Sequence, residues 1–243
     1  MAHETHMVEI RPDISALVCF LENLGENRTS DENLAYGVHA WLSAAFGDLA
    51  PRPWRLLADR RRPTRILGYA AVDAGTLRRR LEEFAEPSVL NVCAPASERI
   101  ASRVMPEWRP GRRLGFEVQC CPIGRKSRSG IEKDLFLLAV ESQAGERASR
   151  EDVYCEWGRR QIERDGAARV THIEMSAFRL IKQARKSGGE GSRRSVSVLT
   201  RPHAVLRGEL EVGDPSSFHR LVARGLGRHR AFGYEMLLLR PPS

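Results

Sequence analysis

The spacing of apolar residues in the first half of this chain switches between strand-like and helix-like. The order is strand, helix, strand, strand, helix, strand, and few folds accept it. Ser15–Glu22 (SALVCFLE) reads as the first strand. Thr29 and Glu32 have the spacing of a capping box and open a helix running to about Phe46. Pro53–Ala58 and Arg65–Val72 are short apolar runs joined by the basic turn Asp59–Pro63, a hairpin signature. Ala74–Ala85 is a second helix with Leu77, Leu81 and Phe84 on one side, and Leu114–Cys121 follows as a strand.

The second half repeats the theme. Asp134–Val140 (DLFLLAV) reads as a strand and Ser149–Arg164 as a helix. Arg169–Ile181 and Ser195–Leu199 flank the linker KQARKSGGEGSRR, which reads as a long hairpin with a basic tip. Ala204–Val212 alternates like a strand, Asp214 caps a helix Pro215–Arg224 with proline in its first turn, and Tyr234–Arg240 is the last strand. The expected fold is α+β, with two tandem ferredoxin-like domains. The expected division is residues 1–122 and 123–243.

Composition narrows the function. With 243 residues, 42% of them hydrophobic, the chain buries a core and is not disordered as a whole. The longest apolar run, Ala16–Leu21, is far short of the roughly 20 residues of a membrane span. The opening MAHETHM is not expected to be a secretory signal. Five scattered cysteines with no CxxC pair fit neither a disulfide framework nor a structural zinc site, and a reducing cytoplasm suits them better. No P-loop, metalloprotease helix or serine nucleophile elbow occurs, so neither a cofactor nor a metal is expected.

The net charge is +8, and of 39 basic residues only Lys126, Lys133, Lys182 and Lys186 are lysine. Arginine offers a planar fork of donors that matches phosphate oxygens and stacks on bases. The basic residues cluster in Arg52–Arg65, Arg112–Lys133 and Arg179–Arg194. Any one cluster reads equally as a solvated face, but three together favour a polyanion, nucleic acid first. A membrane surface fits less well, because no cluster lies on a strongly amphipathic helix.

The tail GELEVGDPSSFHRLVARGLGRHRAFGYEMLLLRPP (Gly208–Pro242) resembles the end of the CRISPR repeat-processing endoribonucleases, and among them the CasE family, the RNA-cleaving subunit of Cascade. The resemblance rests on a strand, a DP-x-x-F helix start and a glycine loop at Gly225, Leu226, Gly227, Arg228, Ala231, Phe232 and Gly233. A lone GxG would be only a tight turn. The chain departs from the pattern at Glu235, where many members have glycine. Weaker resemblance covers DENLAYGVHAWLSAAFG, PWRLLAD and GRRLGFEVQCCPIGRKSR. It implies two RNA-recognition-like domains, a CRISPR repeat RNA hairpin as ligand, and other Cascade-type subunits as partners.

On the first helix, Leu34, Val38, Trp41, Leu42 and Ala45 form an apolar stripe, and Tyr36, His39 and Ser43 point away from it. Spacing alone makes His39 an ordinary surface histidine. The resemblance makes Tyr36 and His39 the family's functional Tyr-x-x-His pair. His39 would then do the proton work of metal-independent RNA cleavage, Tyr36 would orient the 2′-hydroxyl or share the proton transfer, and Arg55 would neutralise the phosphate. His172 and His203 fall on strands and read as structural or solvated, His219 lies on the last helix, and His229 sits in the glycine loop.

A duplex stem is read mainly by shape and backbone. The expected RNA contacts are Arg125, Lys126 and Arg128; Arg179, Lys182, Arg185, Lys186, Arg193 and Arg194; and Gly225, Gly227, Arg228, Arg230 and Gly233. Two alternatives stay open: a non-catalytic RNA-binding subunit of an effector complex, and a relative that cleaves with arginines in place of histidine.

Overall fold

A computed structural model describes residues 4–24, 31–59, 62–125, 132–142, 149–187, 195–227 and 229–242. Thr29, Lys126, Arg128, Arg193, Arg194 and Arg228 lie outside the described residues. The first half contains β1 (His6–Ile10), α1 (Ile14–Asn23), α2 (Asp31–Phe46), β2 (Trp54–Asp59), β3 (Arg62–Ala70), α3 (Ala74–Phe84), α4 (Pro87–Val92) and β4 (Ile100–Val104). Its sheet runs β2-β3-β1-β4. The second half contains β5 (Arg113–Cys120), β6 (Ile123–Arg125), β7 (Glu132–Asp134), α5 (Leu135–Glu141), α6 (Arg150–Glu163), β8 (Ala168–Ser187), β9 (Ser195–Val212), α7 (Pro215–Arg224) and β10 (Leu237–Arg240). Its main sheet runs β10-β5-β9-β8, and β6 and β7 form a small separate ribbon. Both four-stranded sheets are antiparallel and have the same topology, so the fold is two tandem ferredoxin-like domains.

Three sequence expectations are corrected. Ser15–Glu22 is helical, not the first strand: Asp13 caps α1 through the Ala16 N–H at 3.0 Å, and Leu17, Phe20 and Leu21 are buried at helical spacing. The first strand is β1, the centre of its sheet, with Val8 and Ile10 in the core. Asp134–Val140 is likewise not a strand. Asp134 caps α5 through the Phe136 N–H at 2.9 Å, and the apolar run behind it is a helix. The sheets also divide the chain between β4 and β5, ahead of residue 122, because β5 pairs with β9 and β10.

The two domains are joined through side chains as well as through the linker. Met7, Leu67 and Tyr69 leave the outer face of the first sheet and pack into the second core beside Leu237–Leu239. The Tyr69 hydroxyl donates to the Leu237 carbonyl at 2.8 Å, so the buried hydroxyl is satisfied.

Strands β8 and β9 are much longer than the sheet they belong to. β5 pairs with β9 only from Ala204 to Glu211, and among the described residues the stretch from Ser195 to His203 pairs with β8 alone. At about 3.3 Å per residue the two-stranded ribbon projects some 25–30 Å. The sequence reading ended one strand at Leu199 and began another at Ala204, whereas β9 runs unbroken through residues 200–203. Pro202 stands opposite Leu180 in the ribbon.

Candidate active site

Helix α2 presents two faces, as its sequence requires. Val38, Trp41, Leu42, Ala45 and Phe46 are buried in the first core, and the Trp41 indole N–H donates to the Val89 carbonyl at 3.1 Å. Gly37 lets the helix lie against α1, since a β-carbon there would be 2.4 Å from Leu21 Cδ1. Tyr36 is 40% exposed, and His39 is half-buried one turn further along the same face.

The glycine loop comes to meet this face. Phe232 lies in a 3-10 turn, Arg230–Phe232, and its ring packs on the His39 imidazole with centroids 5.2 Å apart and planes tilted by 60°. The loop's shape depends on its glycines. Gly233 has φ +79, and a β-carbon there would be 2.9 Å from Trp54 Cζ3. Gly225 has φ +72, and a β-carbon there would be 2.4 Å from the Glu235 carbonyl oxygen. Residues with side chains rarely adopt that backbone region.

Glu235 stands at a backbone position that favours glycine. Its φ is +73, in the left-handed region, so a side chain here carries strain. The side chain is fully buried beneath Gly227, and Oε1 accepts the Cys121 N–H at 3.3 Å. Oε2 has no partner. Burial pushes the carboxyl up to about 8, against the Cys121 hydrogen bond and the Arg230 charge.

Electrostatics around the seam hold two imidazoles neutral. Burial, and then the Arg52 charge, lower the His39 pKa. His203 is lowered to about 4 by burial, Arg179 and Arg55, and its Nδ1 lies 3.2 Å from the Tyr234 hydroxyl. Arg179 stands opposite His203 across the ribbon.

Arg55 does not project into solvent. Its Nη2 is 2.6 Å from Glu117 Oε1, its side chain is 12% exposed, and Nε and Nη1 have no partner. Glu117 also accepts from Arg207 Nε at 2.6 Å. Desolvation would raise the Glu117 pKa, but Arg55 and Arg207 outweigh it and keep the carboxylate below its ordinary range. Nearby, Arg201 is buried and pairs with Glu132 at 2.6 Å, and His229 Nε2 lies 3.8 Å from the same carboxylate.

The structure therefore brings His39 against the loop carrying Gly225, Gly227 and Gly233, keeps Tyr36 exposed on the same helix face, and sets Arg55 in the domain junction, paired with Glu117. Arg230 is tied to the end of α7 through the Arg224 carbonyl at 2.9 Å. Arg125 lies on β6, and Lys182, Arg185 and Lys186 lie on the projecting part of β8 with Arg179 at its base. The sequence reading missed Phe232 as the partner of His39, and the set His203, Tyr234, Glu117 and Arg207. Alternation along a β9 read without a break would have put Arg201, His203 and Arg207 on one face.

Among the described residues, no group of three or more His, Cys, Asp or Glu side chains is placed to hold a metal ion, and no helix is long and apolar enough to cross a membrane. What the site offers is a neutral imidazole at the edge of solvent, a tyrosine one turn away, and guanidinium groups from both domains.

No curated protein matches the sequence. A solved structure of the CRISPR endoribonuclease Cse3 bound to a 19-nucleotide RNA is 19% identical, with a TM-score of 0.64 over 98% of this chain and 100% of that one. Thermus thermophilus Cse3 bound to an RNA representing a pre-cleavage complex is 19% identical, with a TM-score of 0.58 over the same shares. A chain of a CRISPR RNA-guided surveillance complex is 15% identical, with a TM-score of 0.54, again over 98% of this chain and 100% of that one. These likenesses establish a shared fold across the whole chain. The family model described as CRISPR associated protein matches residues 11–241, and the chain belongs to that family of CRISPR associated proteins.

Proposed function

We propose that this chain is a metal-independent endoribonuclease that binds the hairpin of a CRISPR repeat RNA, cuts at its 3′ base and retains the mature CRISPR RNA. The observation that carries the reading is the His39–Phe232 contact. It sets a half-exposed neutral imidazole against the glycine loop, at a seam furnished with arginines.

The chemistry uses the RNA's own nucleophile. His39 takes the proton of the 2′-hydroxyl beside the scissile phosphate. The 2′-oxygen attacks phosphorus, the bond to the 5′-oxygen breaks, and a 2′,3′-cyclic phosphate forms. The leaving 5′-oxygen receives a proton from the protonated imidazole or from water. A base must be unprotonated to act, and burial of His39 favours that state. Tyr36, exposed on the same helix face, orients the hydroxyl. Arg55 and Arg179 bring positive charge towards the phosphate, Arg55 from within its pair with Glu117. The stem lies along the β8–β9 ribbon and the glycine loop. The fold shared with a surveillance-complex chain supports assembly with other effector subunits, and a cytoplasmic location goes with that assembly.

The test is cleavage of the repeat encoded beside the gene, with chelator present. The parent protein is expected to cut it. His39→Ala is expected to bind it but cut at least 100-fold more slowly, in line with the 10²–10⁴-fold range for a general acid–base group. RNA with a 2′-deoxy sugar at the cut site is expected to bind and survive. Cleavage of the deoxy substrate would exclude the 2′-hydroxyl mechanism, and unchanged cleavage by His39→Ala would exclude His39.

A further inference from the structure

An ion pair of the second domain reaches the glycine loop from outside it. Glu132 opens β7, and its Oε2 accepts from Arg201 Nη2 at 2.6 Å. The two side chains are only 19% and 8% exposed. Charges withdrawn this far from water are stable only when paired. Arg201 stands opposite Ile181, in the part of β9 that pairs with β8 alone among the described residues. The pair therefore joins the projecting β8–β9 ribbon to the small β6–β7 ribbon.

The same Glu132 oxygen lies 3.8 Å from His229 Nε2. His229 precedes the 3-10 turn Arg230–Phe232, and its carbonyl accepts the Phe232 N–H at 3.0 Å. Its ring lies 6.3 Å from the Phe232 ring, tilted by 45°. Phe232 in turn packs on His39 at 5.2 Å. A line of contacts thus runs from Arg201 through Glu132, His229 and Phe232 to His39, and it crosses from β9 and β7 to the loop and then to α2. A second tie of the turn, Arg230 Nη1 to the Arg224 carbonyl, leads only to the end of α7. Groups that move protons must be held within about 0.5 Å of their working place, and side chains fixed behind them do the holding.

We propose that Glu132 is a positioning residue for RNA cleavage. With Arg201 it fixes His229, and through the turn and Phe232 it sets the place of the His39 imidazole. It acts through these neighbours and not on the RNA. This rests on the repeat-RNA reading above, and it adds a link between the ribbon that takes the stem and the group that takes the proton.

The test uses the full-length protein and two measurements, the first without RNA. With histidine labelled in carbon-13, the His39 ring signal is identified by its loss in His39→Ala. The ring current of Phe232 acts on that signal, so Phe232→Leu is expected to move it, and Glu132→Ala to move it in the same direction. The second measurement is the single-turnover cleavage rate of the repeat RNA at saturating protein, beside the dissociation constant. Glu132→Ala is expected to slow cleavage roughly 10–100-fold with binding unchanged, since a misplacement of about 1 Å can cost 10²-fold. Glu132→Gln keeps an oxygen for Arg201 and nearly the same shape, and is expected to recover most of the loss. In a Phe232→Leu background, Glu132→Ala should cost no more than about twofold, because the path to His39 is already cut. An unmoved His39 signal in Glu132→Ala overturns the proposal. So does a loss of rate that is equally large with Phe232 replaced, or one that vanishes at saturating protein. Should Glu132→Ala not fold, His229→Leu breaks the same line from the loop side and carries the same expectations. If the parent cuts no repeat RNA, the repeat-RNA reading has failed, and the His39 signal by itself still decides whether Glu132 holds the ring in place.

Discussion

The Glu235 carboxyl lies so close beneath Gly227 that a β-carbon on that glycine would be 2.6 Å from Glu235 Cδ and Oε1. The loop that meets His39 thus rests on a buried acid. This has a stability signature. The folded chain holds the Glu235 proton up to about pH 8, and the unfolded chain releases it near the ordinary 4.5. Unfolding is therefore favoured progressively as pH rises between those two values. We expect Glu235→Gln to leave stability unchanged below pH 4.5 and to raise it increasingly from there to pH 8, by a few kcal/mol at about 1.4 kcal/mol per pKa unit. Denaturant melts at several pH values would show it, and a constant offset across that range would refute it.

The Arg55–Glu117 pair predicts energetic coupling between the domains. Both side chains are largely buried, and two further nitrogens of Arg55, Nε and Nη1, have no partner. Removing one partner of a buried pair costs about 3–5 kcal/mol, because the other charge is left behind. We expect Glu117→Gln and Arg55→Met each to destabilise, and the double variant to cost less than their sum. The cycle is expected to give an interaction energy of roughly 1–3 kcal/mol. Additive effects would mean that the ion pair does not couple the domains.

Cleavage should also depend on pH in a particular way. Burial and Arg52 lower the His39 pKa from 6.5. As a base, His39 should then be fully competent at neutral pH. Single-turnover rates are expected to be flat above pH 7 and to fall only on the acid side of 6.5. A rate still climbing steeply between pH 7 and 8 would argue against His39 as the base.

Two glycines separate backbone strain from crowding. Gly111 has φ +78 with open space where a β-carbon would go, and Gly225 has φ +72 with the Glu235 carbonyl oxygen 2.4 Å away. Gly111→Ala should cost about 1–2 kcal/mol, the price of the left-handed region alone. Gly225→Ala should cost clearly more and should also slow cleavage, because the loop carrying Phe232 must shift. Similar melting temperatures for the two variants would contradict this.

Much of the fold was legible in the sequence, in part through errors that cancelled. SALVCFLE and DLFLLAV are eight- and seven-residue apolar runs, and runs that short do not reveal their period. Each follows an aspartate that caps a helix, Asp13 or Asp134, and that was the missed signal. Counting the first run as a strand, and adding Leu114–Cys121, reproduced the ferredoxin-like order with two wrong members. The exposed face of α2 was legible because the apolar stripe fixes the opposite side. The partners were not. His39 with Phe232, Arg55 with Glu117, and His203 with Tyr234 all join distant segments, and local spacing carries no record of such meetings. Glu235 stood out as a departure from the resemblance, but the positive φ that makes its position suit glycine was not legible from spacing.

The outer lengths of β8 and β9 answer to no core. Nothing else in the described sheet pairs with Ser195–His203, so the backbone of that stretch is held by one neighbouring strand alone. On the proposed reading, a change in the outer arm alters the surface offered to the RNA stem without crossing the pairing of β9 with β5 that anchors the second sheet.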